Sequence, residues 1–199
     1  MRLEVTRRTD AATTGLGEIE HYHVFDTAIG RMGLAWSTLA LTRLSLPERD
    51  ECALACRLGA DHRMPAAILP DWVADLVGAL KRYAEGSREE FADVPLDLEG
   101  MGEFRRRIYE ATRRVGYGEL VSYGELARRL EEPGAARAVG QAMAQNPLPI
   151  VIPCHRVVGS AGKPGGFSAH GGLAAKERLL ALEGRSLAAP APLLDWRPA

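Results

Sequence analysis

Short apolar bursts separated by glycine-containing turns characterise the first third of the chain. Residues 22–25, 33–36 and 39–41 each alternate or run apolar over three or four positions. Bursts of this length between turn signals are typical of a β-meander. We therefore expect a small antiparallel sheet near the N-terminus.

Helical spacing of apolar residues follows the predicted strands. Residues 48–58 and 70–83 both show it, and the second segment predicts one apolar helix face formed by Trp72, Val73, Leu76, Val77 and Leu80. Residues 85–98 are charged and interrupted by Gly86 and Pro95, which predicts a linker.

The second half of the chain predicts three helices in close succession. The first spans 101–115 and ends at a glycine pair around Tyr117. Ser122 and Glu125 fit a capping box, in which the serine accepts an early backbone N–H and the glutamate reaches back. This cap opens a helix to residue 130, and a Pro-Gly turn separates that helix from the next one, 135–145. Helix, tight turn and helix form the helix-turn-helix layout.

These elements predict an α+β fold with two domains. An N-terminal domain, 18–98, holds the small antiparallel β-sheet with helices and ends in the linker. A mainly helical C-terminal domain, 99–186, carries the helix-turn-helix and an active-site loop. Residues 1–17 are expected to form a loose N-terminus, and the Pro- and Ala-rich residues 187–199 a flexible tail.

Composition and charge narrow the function classes. With 46% hydrophobic and 26% charged residues, and with no apolar segment of membrane-spanning length or signal core, the chain is expected to be cytoplasmic.

The charge differs between the two halves of the chain. Residues 1–98 carry 11 basic and 16 acidic side chains, whereas 99–186 carry 13 basic and 9 acidic. If the protein binds nucleic acid, its second half should do so.

Three cysteines in a chain of 199 residues do not suggest a disulfide framework. Cys52 and Cys56 lie one helical turn apart, with His62 nearby, so a metal site is one interpretation. Two small core residues on one helix face are the favoured interpretation, because no second pair of ligands is evident. No metal is expected.

The third cysteine follows an apolar segment bounded by prolines. Residues 148–152 are interpreted as a short strand that delivers Cys154, followed at once by His155 and Arg156. A cysteine reacts as the thiolate, and a nearby imidazole or guanidinium favours that form. From the Cys-His dipeptide alone, a buried thiol beside an unrelated histidine is the stronger interpretation, since neighbouring side chains on a strand point in opposite directions.

A longer sequence pattern favours a reactive cysteine over an inert buried thiol at position 154. Residues 135–140, Asn146-Pro147, 149–159 (PIVIPCHRVVG), 171–177 and 182–184 closely resemble the O6-alkylguanine-DNA alkyltransferase family. The resemblance covers 104–184 with few gaps, and residues 20–98 match more loosely. It implies a ribonuclease-H-like N-terminal domain.

The resemblance also implies an activity. A member of the family repairs double-stranded DNA containing alkylated guanine by stoichiometric transfer of the alkyl group from O6 to its own cysteine, with O4 of thymine as a further candidate. The protein would be a self-inactivating, single-turnover enzyme that needs no cofactor, acts as a monomer and has no membrane partner.

Catalytic roles follow from the same match. Cys154 is implied as the alkyl acceptor, His155 as the base that activates the thiol through a bridging water, and Glu183 as the carboxylate that orients the imidazole. Asn146 is implied as the hinge that ties the helix-turn-helix to the active-site strand. Without the match, Glu183 would be interpreted as a solvated carboxylate at a helix end.

The target nucleotide must leave the stack before a thiol can reach it. Arg137 matches the arginine that enters the duplex, and Tyr123 the tyrosine beside the target. The helix around Arg137 is rich in small residues, which suits the minor groove, where sequence discrimination is poor. The DNA-binding set is completed by Ala136, Ala138, Gly140 and Met143.

The implied substrate pocket contains one departure from the family. Val157, through its carbonyl, and Lys176 match pocket positions, with a surface lysine as the alternative for Lys176. In the loop 165–172, Phe167 replaces a tyrosine and precedes Ser168, whose backbone region would bind O6. Ala169-His170 are two extra residues that either enlarge the pocket or shift this donor, and His170 is expected to be solvated.

Two other function classes compete with alkyl transfer. A non-catalytic module that recognises alkylated DNA would typically have tryptophan at the position of Cys154. An alkylation-sensing DNA-binding regulator is disfavoured by the alanine-rich helix and by the absence of an evident dimerisation segment.

Overall fold

The computed structural model describes residues 20–38, 40–60, 63–98 and 100–187. The strands are β1 (His21–Thr27), β2 (Gly30–Trp36), β3 (Leu41–Ser45), β4 (Met64–Pro65), β5 (Val121–Ser122) and β6 (Val157–Val158). The helices are α1 (Glu51–Leu58), α2 (Asp71–Ala84), α3 (Glu103–Arg113), α4 (Tyr123–Arg129), α5 (Ala136–Ala144) and α6 (Gly172–Leu182). The predicted loose N-terminus lies outside the described residues, as does the predicted tail beyond Leu187.

The predicted antiparallel sheet is confirmed. Four strands lie in the order β3-β2-β1-β4, and β2 is antiparallel to both β1 and β3. A two-residue loop joins β1 to β2, and Gly30 closes it at a φ of 125°, which a residue with a side chain rarely adopts. The short β4, parallel to β1, was not predicted, because two residues give no periodicity. The ribonuclease-H-like description stays a prediction.

The predicted helices are present with shorter bounds, except for α2, which is shifted by one residue. Asp50 accepts a hydrogen bond from the backbone N–H of Ala53 at 2.7 Å and so opens α1 three residues later than expected. At α4 the Ser122 hydroxyl accepts from the N–H of Glu125 at 3.0 Å, as the capping box predicts. The Glu125 carboxylate instead pairs with Arg128 and Arg129 along the helix.

The predicted core role of the α1 cysteines is wrong. Cys52 and Cys56 are both exposed, because α1 buries its Leu54 and Leu58 face and turns the cysteines to solvent. Within the part of the chain that the structure describes, no three His, Cys, Asp or Glu side chains group as metal ligands. His62 lies outside that part.

The segment 85–98 is fixed against the C-terminal part of the molecule. Phe91 is buried, and the guanidinium of Arg113 on α3 donates to the carbonyls of Phe91 and Val94 at 3.0 and 2.8 Å. The backbone of this segment also forms hydrogen bonds with the backbone of Leu41 at the edge of β3.

One continuous apolar core runs from Phe25 in β1 to Leu179 in α6. Across the described ranges, no helix is both long and apolar enough to span a bilayer.

Candidate alkyl-acceptor site

The segment before Cys154 is a turn, so the predicted strand at 148–152 is wrong. Its prolines lack the backbone N–H groups that a strand ladder needs. Ile150 adopts a φ of 72°, and the only strand-like feature of the segment is an isolated bridge between Pro149 and Ile152. Asn146 holds the turn, because its amide donates to the carbonyl of Ile152 at 2.8 Å and accepts from the N–H of Leu148 at 3.0 Å.

Cys154 begins a 3₁₀ turn, Cys154–Arg156, that is buried throughout. Because the turn is helical, the three side chains leave the backbone in three directions rather than alternating. Burial raises the pKa of the Cys154 thiol above its ordinary value. A hydrogen bond from the Asn146 side chain, the charge of Lys176 and two backbone N–H groups oppose that rise.

His155 and Glu183 form a buried pair. The Nε2 atom of His155 lies 2.8 Å from Oε1 of Glu183, and neither side chain is exposed to solvent. Burial lowers the pKa of His155 despite the neighbouring carboxylate, so the imidazole is neutral near pH 7. Nδ1 of His155 is buried and makes no hydrogen bond within the described part of the chain.

Arg156 binds the Glu183 carboxylate. Its Nε and Nη2 atoms donate to the carboxylate at 3.0 and 2.9 Å, and Nη1 donates to the carbonyl of Val115. Burial alone would raise the pKa of Glu183, but hydrogen bonds from His155 and Arg156 outweigh it and hold that pKa far below its usual range. The guanidinium of Arg156 is therefore engaged with the carboxylate behind the cysteine.

Glu183 also binds two groups that the sequence analysis did not predict. The hydroxyl of Tyr83, on α2, donates to Oε1 at 2.7 Å, and the backbone N–H of Gly118 donates to Oε2 at 3.0 Å. Tyr83 ends the amphipathic segment 70–83, and its spacing does not distinguish a functional hydroxyl from an apolar core position. The interpretation of Glu183 as a solvated carboxylate is excluded.

Lys176 is fully buried, so the surface alternative is wrong. Its Nζ donates to the carbonyls of Val157 and Pro164 at 2.6 Å each. Burial lowers its pKa to about 8. Lys176 thus ties the strand that follows the cysteine to the start of the 165–172 loop.

Cys154 lines a cavity of about 510 Å³ that opens on the face formed by α4 and α5. This volume is within the usual range of about 300–1,000 Å³ for small-molecule sites. The cavity brings together six of the predicted residues, which are Tyr123, Arg137, Gly140, Met143, Phe167 and Ser168. Ala136 and Ala138 are half-buried on α5 and do not line it.

A second, smaller cavity of about 100 Å³ reaches Cys154 from the side of the sheet. Arg43 of β3, Arg57 of α1 and Asn146 contribute to it, together with residues 167–169 of the loop. The extra residue Ala169 therefore faces this second space, whereas His170 is exposed as expected.

The loop is packed against Tyr123. The Tyr123 hydroxyl binds the backbone of Gly166. Gly165 has a φ of 68°, and a Cβ there would lie 2.8 Å from the tyrosine ring and hydroxyl. Only glycine fits this position without displacing the ring.

Comparison with known proteins identifies the family. Residues 103–185 match the family described as 6-O-methylguanine DNA methyltransferase, DNA binding domain. The methylated-DNA–protein-cysteine methyltransferase of Mycolicibacterium paratuberculosis is 42% identical over 174 residues, which cover 87% of this chain and 98% of that protein. The chain belongs to the methylated-DNA–protein-cysteine methyltransferase family.

Solved structures of similar proteins share the fold. The crystal structure of Mycobacterium tuberculosis OGT in complex with DNA has a TM-score of 0.69 and 40% identity, covering 84% of this chain and 96% of that one. The O6-methylguanine-DNA methyltransferase of Pyrococcus kodakaraensis has a TM-score of 0.62 and 28% identity, covering 82% and 99%. The predicted family and the α+β fold class are thus confirmed for this methyltransferase-family chain.

Proposed function

We propose that the protein repairs alkylated guanine in double-stranded DNA by transferring the alkyl group from O6 to Cys154. The observation that carries this proposal is a cysteine in the wall of a cavity of about 510 Å³, followed directly by a buried imidazole–carboxylate pair at 2.8 Å. The names of the similar proteins support the same substrate and the same acceptor.

The buried pair prepares the thiol for reaction. Because the Glu183 carboxylate can only accept, Nε2 of His155 carries the hydrogen that lies between them. Nδ1 then holds the lone pair and accepts the thiol proton through a bridging water. Asn146 positions the turn and donates to the sulfur, which stabilises the developing thiolate.

The transfer step exchanges an alkyl group for a proton. The sulfur–carbon bond forms while the bond between carbon and O6 breaks, and the electron pair of the broken bond stays on the guanine. The proton lost by the thiol finally replaces the alkyl group on the base, so no cofactor is needed. The resulting thioether is stable, which makes the reaction a single turnover.

DNA recognition is proposed for the face that carries the larger cavity. Arg137 is exposed at its edge and would fill the gap left by the extruded nucleotide, with Tyr123 beside the target. The small residues Ala136, Ala138 and Gly140 let α5, as the second helix of the helix-turn-helix, approach the minor groove. Val157, Lys176, Phe167 and Ser168 shape the base pocket.

We also propose the domain division at 18–98 and 99–186, action as a monomer and a cytoplasmic location. The charge difference between the two halves supports the assignment of DNA binding to the second domain.

Intact-protein mass spectrometry tests the proposed reaction. After incubation with duplex DNA carrying O6-methylguanine, we expect a gain of one methyl group per protein, mapped to Cys154, and no gain in Cys154→Ala. Cys52→Ala is the matched control and should be methylated like the wild type, because Cys52 is exposed and lines neither cavity. Tight binding of the damaged DNA without a mass change would favour a recognition module instead.

A further inference from the structure

The hydroxyl of Tyr83 contacts both members of the buried His155–Glu183 pair, although its helix α2 belongs to the N-terminal part of the chain. It is 2.7 Å from Oε1 of Glu183 and 3.3 Å from Nε2 of His155, and the side chain is fully buried. The ring is held edge-on by Phe91 and Tyr117, with centroids 5.8 and 6.3 Å away. The hydroxyl therefore has little freedom to move.

The direction of each hydrogen bond follows from the donors available. The Glu183 carboxylate has no hydrogen to give, so the Tyr83 O–H donates to it. Burial raises the pKa of Tyr83 well above its usual range, so the phenol keeps its proton. The lone pairs of the phenol oxygen then face the N–H at Nε2 of His155, 3.3 Å away, so the one hydrogen on Nε2 is shared between Oε1 of Glu183 at 2.8 Å and the phenol oxygen.

We propose that Tyr83 is a positioning residue for alkyl transfer, which holds His155 in the tautomer with hydrogen on Nε2 and takes up part of the charge of Glu183. The proposal rests on the proposed function. The N-terminal part thereby supplies a group that acts on the relay behind the cysteine, in addition to its share of the core.

The hydroxyl should also adjust the basicity of the imidazole. The charged and titratable groups around His155 are Glu183, Arg156, Lys176, Cys154 and, beyond Tyr83, Tyr117. Glu183 is the group among them that stabilises the imidazolium. When Tyr83 donates to the carboxylate, less of its charge is available to the ring. Removing the hydroxyl should therefore raise the pKa of His155.

The test compares the single-turnover rate of transfer from free O6-benzylguanine across pH for the wild type, Tyr83→Phe and Tyr109→Phe. Tyr109→Phe is the matched control, since it also removes a fully buried hydroxyl, one bonded to the carbonyl of Ala142 at 2.9 Å. In Tyr83→Phe we expect the low-pH midpoint of the rate to move to higher pH and the plateau rate to fall about tenfold. The control should lose stability but keep the wild-type midpoint.

An unshifted midpoint in Tyr83→Phe, whatever its plateau rate, overturns the proposal. The ¹⁵N shifts of the His155 ring in the wild-type protein give a second check that does not depend on a variant folding. They should show hydrogen on Nε2, and hydrogen on Nδ1 would refute the assigned role. If the wild type itself never labels Cys154, the proposed function fails; if it does, only the role of Tyr83 is at stake.

Discussion

Glu183 occupies a position that is unfavourable for a carboxylate, directly after the last residue of α6 and out of contact with water. A negative charge at a helix C-terminus is repelled by the helix dipole, and burial removes its hydration. Donors from Tyr83, Gly118, His155 and Arg156 compensate for both effects. The buried carboxylate in turn fixes the orientation of the His155 imidazole next to Cys154.

Lys176 allows a prediction at the residue scale. In Lys176→Met, the carbonyls of Val157 and Pro164 lose their donor, which should lower the free energy of unfolding by about 1–3 kcal/mol. Loss of a positive charge near the sulfur should also slow alkyl transfer. Urea titration and the transfer rate measure the two effects. Lys163→Met, at an exposed lysine, should change neither, and a K176M variant as stable as the wild type would contradict the assigned contacts.

Elements of the fold differ in how far the sequence predicted them. The helices and the meander were predicted because their apolar spacing matches a single period, as in α2. The segment 148–152 was not, since its apolar residues are buried in a turn whose geometry depends on proline and on Asn146. The family resemblance around Cys154, and not the Cys-His dipeptide alone, predicted the site itself. The partner of Arg156 and the contribution of Tyr83 require the folded chain.

The loop 165–172 depends on Gly165. In Gly165→Ala, a Cβ at a φ of 68° would meet the Tyr123 ring, so either the loop or the ring must move. We expect slower transfer from both free O6-benzylguanine and alkylated duplex. Gly102→Ala is the control, because no atom lies within 4 Å of a Cβ there and Gly102 lines neither cavity. Equal rates for G165A and the wild type would show that the loop does not shape the pocket.

Arg137 provides a prediction for α5. It is exposed at the rim of the larger cavity, and its proposed task exists only when a nucleotide leaves a duplex. Unstacking a base costs a few kcal/mol, so Arg137→Ala should slow transfer from duplex O6-methylguanine by about tenfold or more, without slowing transfer from the free base. Arg82→Ala, remote from the cavity, should affect neither rate. A parallel loss with both substrates would rule out the duplex-specific role.

At the scale of the whole molecule, the two halves of the chain contribute different parts of the site. The second half holds the excess of positive charge and the acceptor cysteine, and the first half covers the back of the site with α2 and the sheet. The charge difference was visible in the sequence. The continuous core and the Tyr83 contacts were not, because no local pattern relates residues so far apart in the chain. His155 and Glu183 follow Tyr83 by 72 and 100 positions.

The dependence of the transfer rate on pH tests most directly how a buried thiol becomes reactive. Burial raises the pKa of Cys154 and lowers that of His155, so the neutral relay is complete at any pH above the depressed value of His155. With free O6-benzylguanine, the wild-type rate should reach its plateau below pH ~6.5, the ordinary pKa of histidine, and stay level through neutrality. A rate that climbs steadily and levels only above pH ~9, following ionisation of an unassisted thiol, would contradict the relay.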